Sequence, residues 1–272
     1  MSKSTWDPRL AKVYRTMPPP GPPSKSELKI YERFVKNVSK QGSQTEVLIL
    51  GSTPGLRDLC VKYHLKYTCV DYHKENYRIA KTAMKYRNED VYGSLVVSDW
   101  KKMKLDKKFD LILGDIASGV TPFKDWNKLW SVVSGILKDN AICVHRTWMR
   151  KKGHFKNFEK FLKGDYARRR KTMHPFTSLT IPFIHYFYNK ESESVLFSQN
   201  LPKLKIFVDK GLLQKKDFDK IDYFFGHYKI PNYFPLKSIY EKKLKDFFVI
   251  KNILKGTDWF KDYSLIYILK KK

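Results

Sequence analysis

With 272 residues, 42% of them hydrophobic, the chain is long enough for one large core carrying an insertion. Lysine and arginine total 54 against 27 aspartate and glutamate, a net charge of +27 that favours nucleic acid or other anions as partners, although a lysine-rich, AT-rich genome gives the same surplus. Cys60, Cys69 and Cys143 lack paired spacing and sit in apolar runs, so they read as reduced core thiols of a cytoplasmic protein and exclude a disulfide framework or zinc site; no run approaches the ~20 apolar residues of a membrane span.

The residues 17–24 (MPPPGPPS) form an extended connector, because each proline removes a backbone donor and restricts its neighbour. Ser26 is the expected N-cap of a helix whose Leu28, Ile30, Tyr31, Phe34 and Val35 share one face up to about Ser39. Next come an apolar run VLIL (47–50), a GSTPG loop, a helix through Leu59, a second run YTCVD (67–71) and an amphipathic helix from about His73 to Tyr86. SLVVSD (94–99) and FDLILGD (109–115) follow, then a helix over Trp126–Leu137 and a fifth strand AICVHR (141–146). Short continuous apolar runs separated by helices predict a parallel sheet covered on both faces. Beyond Arg150 the alternation stops. FFVIKNIL (247–254) and YSLIYILK (263–270) then read as a hairpin turning through Gly256, Thr257 and Asp258, which adds two edge strands, one of them antiparallel. The expected organisation is an N-terminal segment and helix covering the site (1–40), a doubly wound core (41–150), a basic, aromatic, α-rich insertion acting as substrate cap (151–245) and the closing hairpin (246–272).

Ligands of an open α/β sheet sit outside the carboxyl ends of its strands, so the residues ending each strand carry the functional reading. The first strand ends in Gly51-Ser52-Thr53-Pro54-Gly55, where glycine permits a tight turn and close ligand approach, Thr53 caps the following helix and Pro54 fits its first position. Asp71 ends the second strand, twenty residues after Gly51, where a carboxylate accepts hydrogen bonds from the ribose hydroxyls of an adenosine ligand. Tyr72 offers a ring to the adenine, and Asp99-Trp100 an acceptor for its amino group and a second flat wall. Asp115 and Ile116, followed by the small residues Ala117, Ser118 and Gly119, end the fourth strand at the centre of the sheet.

These runs resemble the S-adenosylmethionine (SAM)-dependent methyltransferases of the Rossmann-like class I. The likeness covers about 46–146 and the terminal hairpin. VLILGSTPGLRDL (47–59), VVSDW (96–100) and FDLILGD (109–115) are more narrowly similar to a prokaryotic subgroup with a Gly-x-Thr-Pro-x-Leu-Arg-Asp loop. The resemblance implies SAM as cofactor, with Gly51, Asp71, Asp99 and Asp115 at its site, Thr53 and Trp100 as subgroup signatures, and residues 6–14 covering it. It places the methionine end of SAM, and the acceptor, beside Asp115. Ile49 stands where many such enzymes carry an acidic residue, two places before the first glycine. Arg57 and Asp58 form a local ion pair or orient the loop.

The function expected is methyl transfer by in-line displacement to a small-molecule acceptor, with Asp115, His145 and His185 as candidate catalytic groups. Nucleic-acid methylation is the alternative, motivated by the 11 lysines and arginines of 146–171 interleaved with Phe155, Phe158, Phe161 and Tyr166. The spacing of Phe155, Phe158 and Leu162 equally fits a core-facing helical stripe. An NAD(P)-dependent oxidoreductase shares the half-fold but needs a G-x-G-x-x-G loop that is missing. A non-catalytic binding module is the third class.

Overall fold

In a computed structural model the residues 13–42, 44–226 and 228–272 are described; most of the segment expected to cover the cofactor, residues 6–14, lies outside them. Five strands, β1 (Val47–Leu50), β2 (Tyr67–Asp71), β3 (Gly93–Val97), β4 (Phe109–Asp115) and β5 (Leu137–Trp148), run parallel. Their alternate residues feed two cores. Val47 and Ile49 face α1 (Lys25–Ser39) and α2 (Pro54–Lys62), while Leu48 and Leu50 face the side covered by α4 (Trp126–Gly135). Burial on both faces is why these runs are continuously apolar. α3 (Lys74–Thr82) connects β2 to β3, the half-exposed edge strand.

The sheet order is β3-β2-β1-β4-β5-β9-β8, with β8 (Phe248–Leu254) and β9 (Ser264–Lys271). β9 is antiparallel to both neighbours, as the terminal hairpin predicts. It is not an edge, however: it pairs with β5 along 142–148 and leaves β8 outside it. Its buried run Leu265–Leu269 requires cover on both sides, whereas in β8 Phe248 is buried and the remaining residues are half-buried or exposed, as in an edge strand. The connection 255–263 is also longer than a hairpin turn. Asp258 accepts hydrogen bonds from Ser24 (2.6 Å) and Ser26 (2.7 Å), so this loop is docked on the start of α1.

Other boundaries shift for local reasons. The N-cap of α1 is Ser24, not Ser26, because Ser24 and Glu27 form a reciprocal capping box. α3 stops at Thr82 since Asp58 accepts the amides of Lys85 and Tyr86 and turns the chain there. Asp58 therefore does not pair with Arg57. The buried Arg57 guanidinium pairs instead with Asp90 at 2.7 Å, donates to Tyr67 and to the Tyr77 carbonyl, and lies on the Tyr77 ring.

Between β5 and β8 the chain is mainly helical. A helical stretch 158–169 contains a π turn at Leu162–Tyr166. It is followed by α5 (Pro175–Tyr186), the short strand β6 (Ser194–Val195), α6 (Phe197–Asp209), α7 (Lys215–Phe225), β7 (Asn232–Tyr233) paired with β6, and α8 (Lys237–Leu244). α5, α6 and α7 enclose an aromatic core of their own, which also takes in Trp148 from the end of β5. α8 packs on α4 and the sheet. Among the described residues no helix is long and apolar enough to cross a membrane.

Candidate cofactor and acceptor site

A cavity of about 480 Å³ opens over the carboxyl ends of β1 to β4 and under α5, α6 and α7. That volume lies within the ~300–1,000 Å³ usual for small-molecule sites. Of the residues expected at a cofactor site, Gly51, Ser52, Thr53, Asp71, Tyr72, Asp99, Trp100, Asp115 and Ile116 all line it. Gly55 does not. A Cβ there would meet Leu28 at 3.1 Å, so this glycine allows α2 to approach α1.

Gly51 has φ +90, a conformation that disfavours any side chain, and it lets the backbone turn beneath the Trp100 ring. Trp100 is held by its indole N–H, which donates to the Val70 carbonyl at 2.5 Å. The Asp71 carboxylate receives the Ser52 hydroxyl and the Asn76 amide, both at 2.7 Å. With the His73 amide at 3.4 Å these make three partners, which leave acceptor capacity on a carboxylate with about four lone-pair directions. Tyr72 is 54% exposed at the mouth, and Asp99 is fixed by the Lys101 amide at 3.0 Å. At the N-cap of α2, Thr53 makes no capping bond; its hydroxyl instead interacts with Asp115.

The centre of the site is organised by Arg146, which sequence reasoning placed in a basic stretch. Its guanidinium is fully buried. Nε donates to Asp115 at 2.6 Å, Nη1 to Glu27 at 3.0 Å, and Nη1 and Nη2 to the carbonyls of Pro20 and Gly21 at 3.1 and 2.7 Å. The connector, which contributes Met17 and Gly21 to the cavity wall, is thereby strapped over the end of β4. Burial raises the pKa of the Asp115 carboxyl, and the Arg146 charge opposes the rise. Tyr31 fastens the same region by donating to the Gly114 carbonyl (2.6 Å) and accepting the Arg146 amide (3.0 Å). The one local signal for this network is the Ser24-x-x-Glu27 spacing, which locates Glu27 in a capping box without naming its partner.

Ile116 adopts a left-handed conformation, φ 56, uncommon for a β-branched residue, and its amide is held by the Arg146 carbonyl at 2.9 Å. Neither histidine reaches the cavity. His145 is wholly buried, with Nε2 3.0 Å from the Ser118 hydroxyl, and burial pushes its pKa down to about 3. In His185 one ring nitrogen accepts the Lys151 amide and the other contacts the Ile181 carbonyl, and burial lowers its pKa to about 4. Of the expected catalytic candidates, Asp115 alone lines the cavity.

In the basic stretch 146–171 the arginines are engaged, whereas Lys152, Lys156, Lys160, Lys163 and Lys171 are exposed. Arg150 lies over Tyr188 and Arg169 over Trp259, Arg168 pairs with Asp165, and Arg170 pairs with Asp217. Phe158 and Leu162 are buried and Phe155 packs beside them, the core-facing alternative for this segment.

No protein-family model and no curated protein matches the sequence. Solved structures do. A SAM-dependent methyltransferase from Clostridium acetobutylicum aligns with a TM-score of 0.54 at 15% identity, over 97% of this chain and 98% of that one. The N-methyltransferase NodS from Bradyrhizobium japonicum, in complex with S-adenosylhomocysteine, aligns at 0.51 and 8% identity over 99% of both chains. A putative zinc-dependent alcohol dehydrogenase from Rhodobacter sphaeroides aligns at 0.60 and 11% identity over 100% of both. At these identities the likeness is one of fold: the chain has the α/β fold found in SAM-dependent methyltransferases.

Proposed function

We propose that this chain is a SAM-dependent methyltransferase acting on a small-molecule acceptor, of the subgroup with the Gly-x-Thr-Pro-x-Leu-Arg-Asp loop. The observation that carries this reading is the convergence of Asp71, Asp99 and Asp115, from the ends of three strands, on one cavity floored by the left-handed Gly51. Asp71 would hold the ribose hydroxyls, Asp99 the adenine amino group, and Trp100 one face of the ring.

SAM would supply an electrophilic methyl group on a sulfonium that leaves as a neutral thioether, so the protein need not protonate a leaving group. Its task is placement, which can contribute ~7 to 11 kcal/mol when the reacting atoms are aligned. The Arg146 cluster holds one guanidinium between two carboxylates, Asp115 and Glu27. The net negative charge of this cluster, presented to the cavity through Asp115, complements a sulfonium and an ammonium.

A dinucleotide fits less well. Its diphosphate would meet three carboxylates and, among the described lining residues, the single cation Lys101, which is already paired with Asp125 at 2.9 Å. The sheet also carries an antiparallel strand where the dinucleotide-binding order continues parallel. Isothermal titration of the protein with SAM, S-adenosylhomocysteine and NADH tests the proposal. Micromolar binding of the first two and none of the third is expected; binding of NADH alone would overturn it.

A further inference from the structure

The two halves of the cavity differ in chemistry. On the side of β1, β2 and β3 the wall carries carboxylates, hydroxyls and one lysine. Across Asp115, beneath the insertion, it becomes aromatic. Phe197 and Phe225 stack at 3.9 Å with their rings 12° apart, Phe176 meets Phe224 at 4.8 Å, and Tyr228 stands edge-on to Phe197. Phe197 and Phe225 are stacked face to face on each other, and with Phe176, Phe224 and Tyr228 they make a rigid aromatic wall that favours an apolar, ring-bearing group over a polar one.

The charge on this side is equally one-sided. None of the described residues lining it is lysine, arginine or histidine, and Asp115 supplies its carboxylate. Arg146 pairs with Asp115 but is not available to a ligand's own anion. Its guanidinium has no exposed surface and is shared by Asp115, Glu27 and the connector carbonyls. An anionic group placed here would be desolvated against rings, with no cation among the described lining residues to pair with, which is costly. A neutral or cationic group would meet aromatic faces and a carboxylate, both favourable to it.

Building on the methyltransferase reading, we infer that the acceptor is a flat, ring-bearing small molecule that carries no negative charge, its ring lying against the Phe197–Phe225 wall. The +27 surplus of the chain is then a property of its outer surface and not of this pocket.

The test uses three probes that share an indole ring and differ in their side-chain terminus: tryptamine, tryptophol and indole-3-acetate. Each is titrated into protein saturated with S-adenosylhomocysteine, whose own binding isotherm reports separately on the cofactor reading. The amine and the alcohol are expected to bind at least tenfold more tightly than the acetate. Ile230 lines the same side from a loop and is partly exposed, so Ile230→Arg introduces a cation at modest risk to folding. It is expected to narrow the preference by severalfold without moving S-adenosylhomocysteine affinity. Tighter or equal binding of the acetate, no binding of any of the three, or transfer of a labelled methyl group to RNA would each overturn the inference.

Discussion

Arg146 Nε lies 2.6 Å from Asp115 Oδ1 while the other end of the same guanidinium is 3.0 Å from Glu27, so one cation joins the ends of β4 and β5 to the start of α1. Removing the cation would leave two buried carboxylates facing one another, and breaking such a pair costs about 3–5 kcal/mol. Arg146→Met should therefore lower the thermal midpoint by roughly 6–20 °C, at ~2–4 °C per kcal/mol for a chain of this size class. Arg146→Met combined with Glu27→Gln should recover part of the loss. Equal melting of wild type and Arg146→Met would mean that the cluster carries no net stability.

Asp71 makes a separate prediction, about affinity. Its protein partners, Ser52, Asn76 and the His73 amide, hold the carboxylate in place. Hydrogen bonds to a charged group are worth about 1.5–3 kcal/mol each. Asp71→Ala should weaken SAM binding by more than tenfold in calorimetry while circular dichroism stays unchanged. Unaltered affinity would remove Asp71 from the cofactor site.

At Gly51 the backbone itself is the variable. Gly51→Ala forces a side chain into φ +90, with its Cβ 3.4 Å from the Trp100 ring. Strain of this kind costs of order 1–3 kcal/mol. Both a lower urea midpoint and weaker S-adenosylhomocysteine binding are expected, the second because Trp100 must shift. A loss of stability with full affinity would show that the ring does not touch the cofactor.

The buried histidines set a pH dependence. Their folded pKa values, about 3 for His145 and about 4 for His185, lie below the ~6.5 of the unfolded chain. Below pH 6.5 the unfolded state takes up protons that the native state refuses. Each histidine should thus cost about 1.4 kcal/mol per pH unit, progressively, down to its folded value. Asp115, whose folded pKa is raised, acts in the opposite sense over its own range. Urea unfolding at pH 7 and pH 5 should differ by roughly 2–4 kcal/mol, the protein being weaker at pH 5. Identical stabilities would place both imidazoles in contact with water.

The cysteines offer an independent check on packing. All three are buried and free, and burial pushes Cys143 up to about 12. A thiol reagent at pH 8 should leave the native protein unlabelled over minutes and titrate three thiols in guanidinium. Rapid native labelling of any one would locate an opening of the core.

The layout of the sheet was legible in the sequence because a strand covered on both faces writes itself as a continuous apolar run, and VLIL, YTCVD and FDLILGD are such runs. The residues that end those runs lie at the ligand face by topology alone, which is why Asp71, Asp99 and Asp115 could be named from spacing. What stayed hidden depends on long-range pairing. Glu27 and Arg146 are brought together by β5 and α1, and nothing near either residue marks the other. Gly55 lies outside the cavity lining, against Leu28; a glycine needed for helix packing and one needed for a ligand look alike in sequence. His145 and His185 are candidates by position, and their hydrogen-bond partners turn them away from the cavity.

The place of β9 between β5 and β8 has a consequence for the order in which the molecule can assemble. During synthesis β5 is complete long before residues 264–271 exist, so its outer flank stays open while everything between them is made. Joining them closes a very long loop, and non-local pairing of this kind slows folding. Collapse of the aromatic core of α5, α6 and α7 before the sheet closes would shorten the effective distance between the two strands. The rings that line the cavity would then double as the nucleus that lets the sheet close.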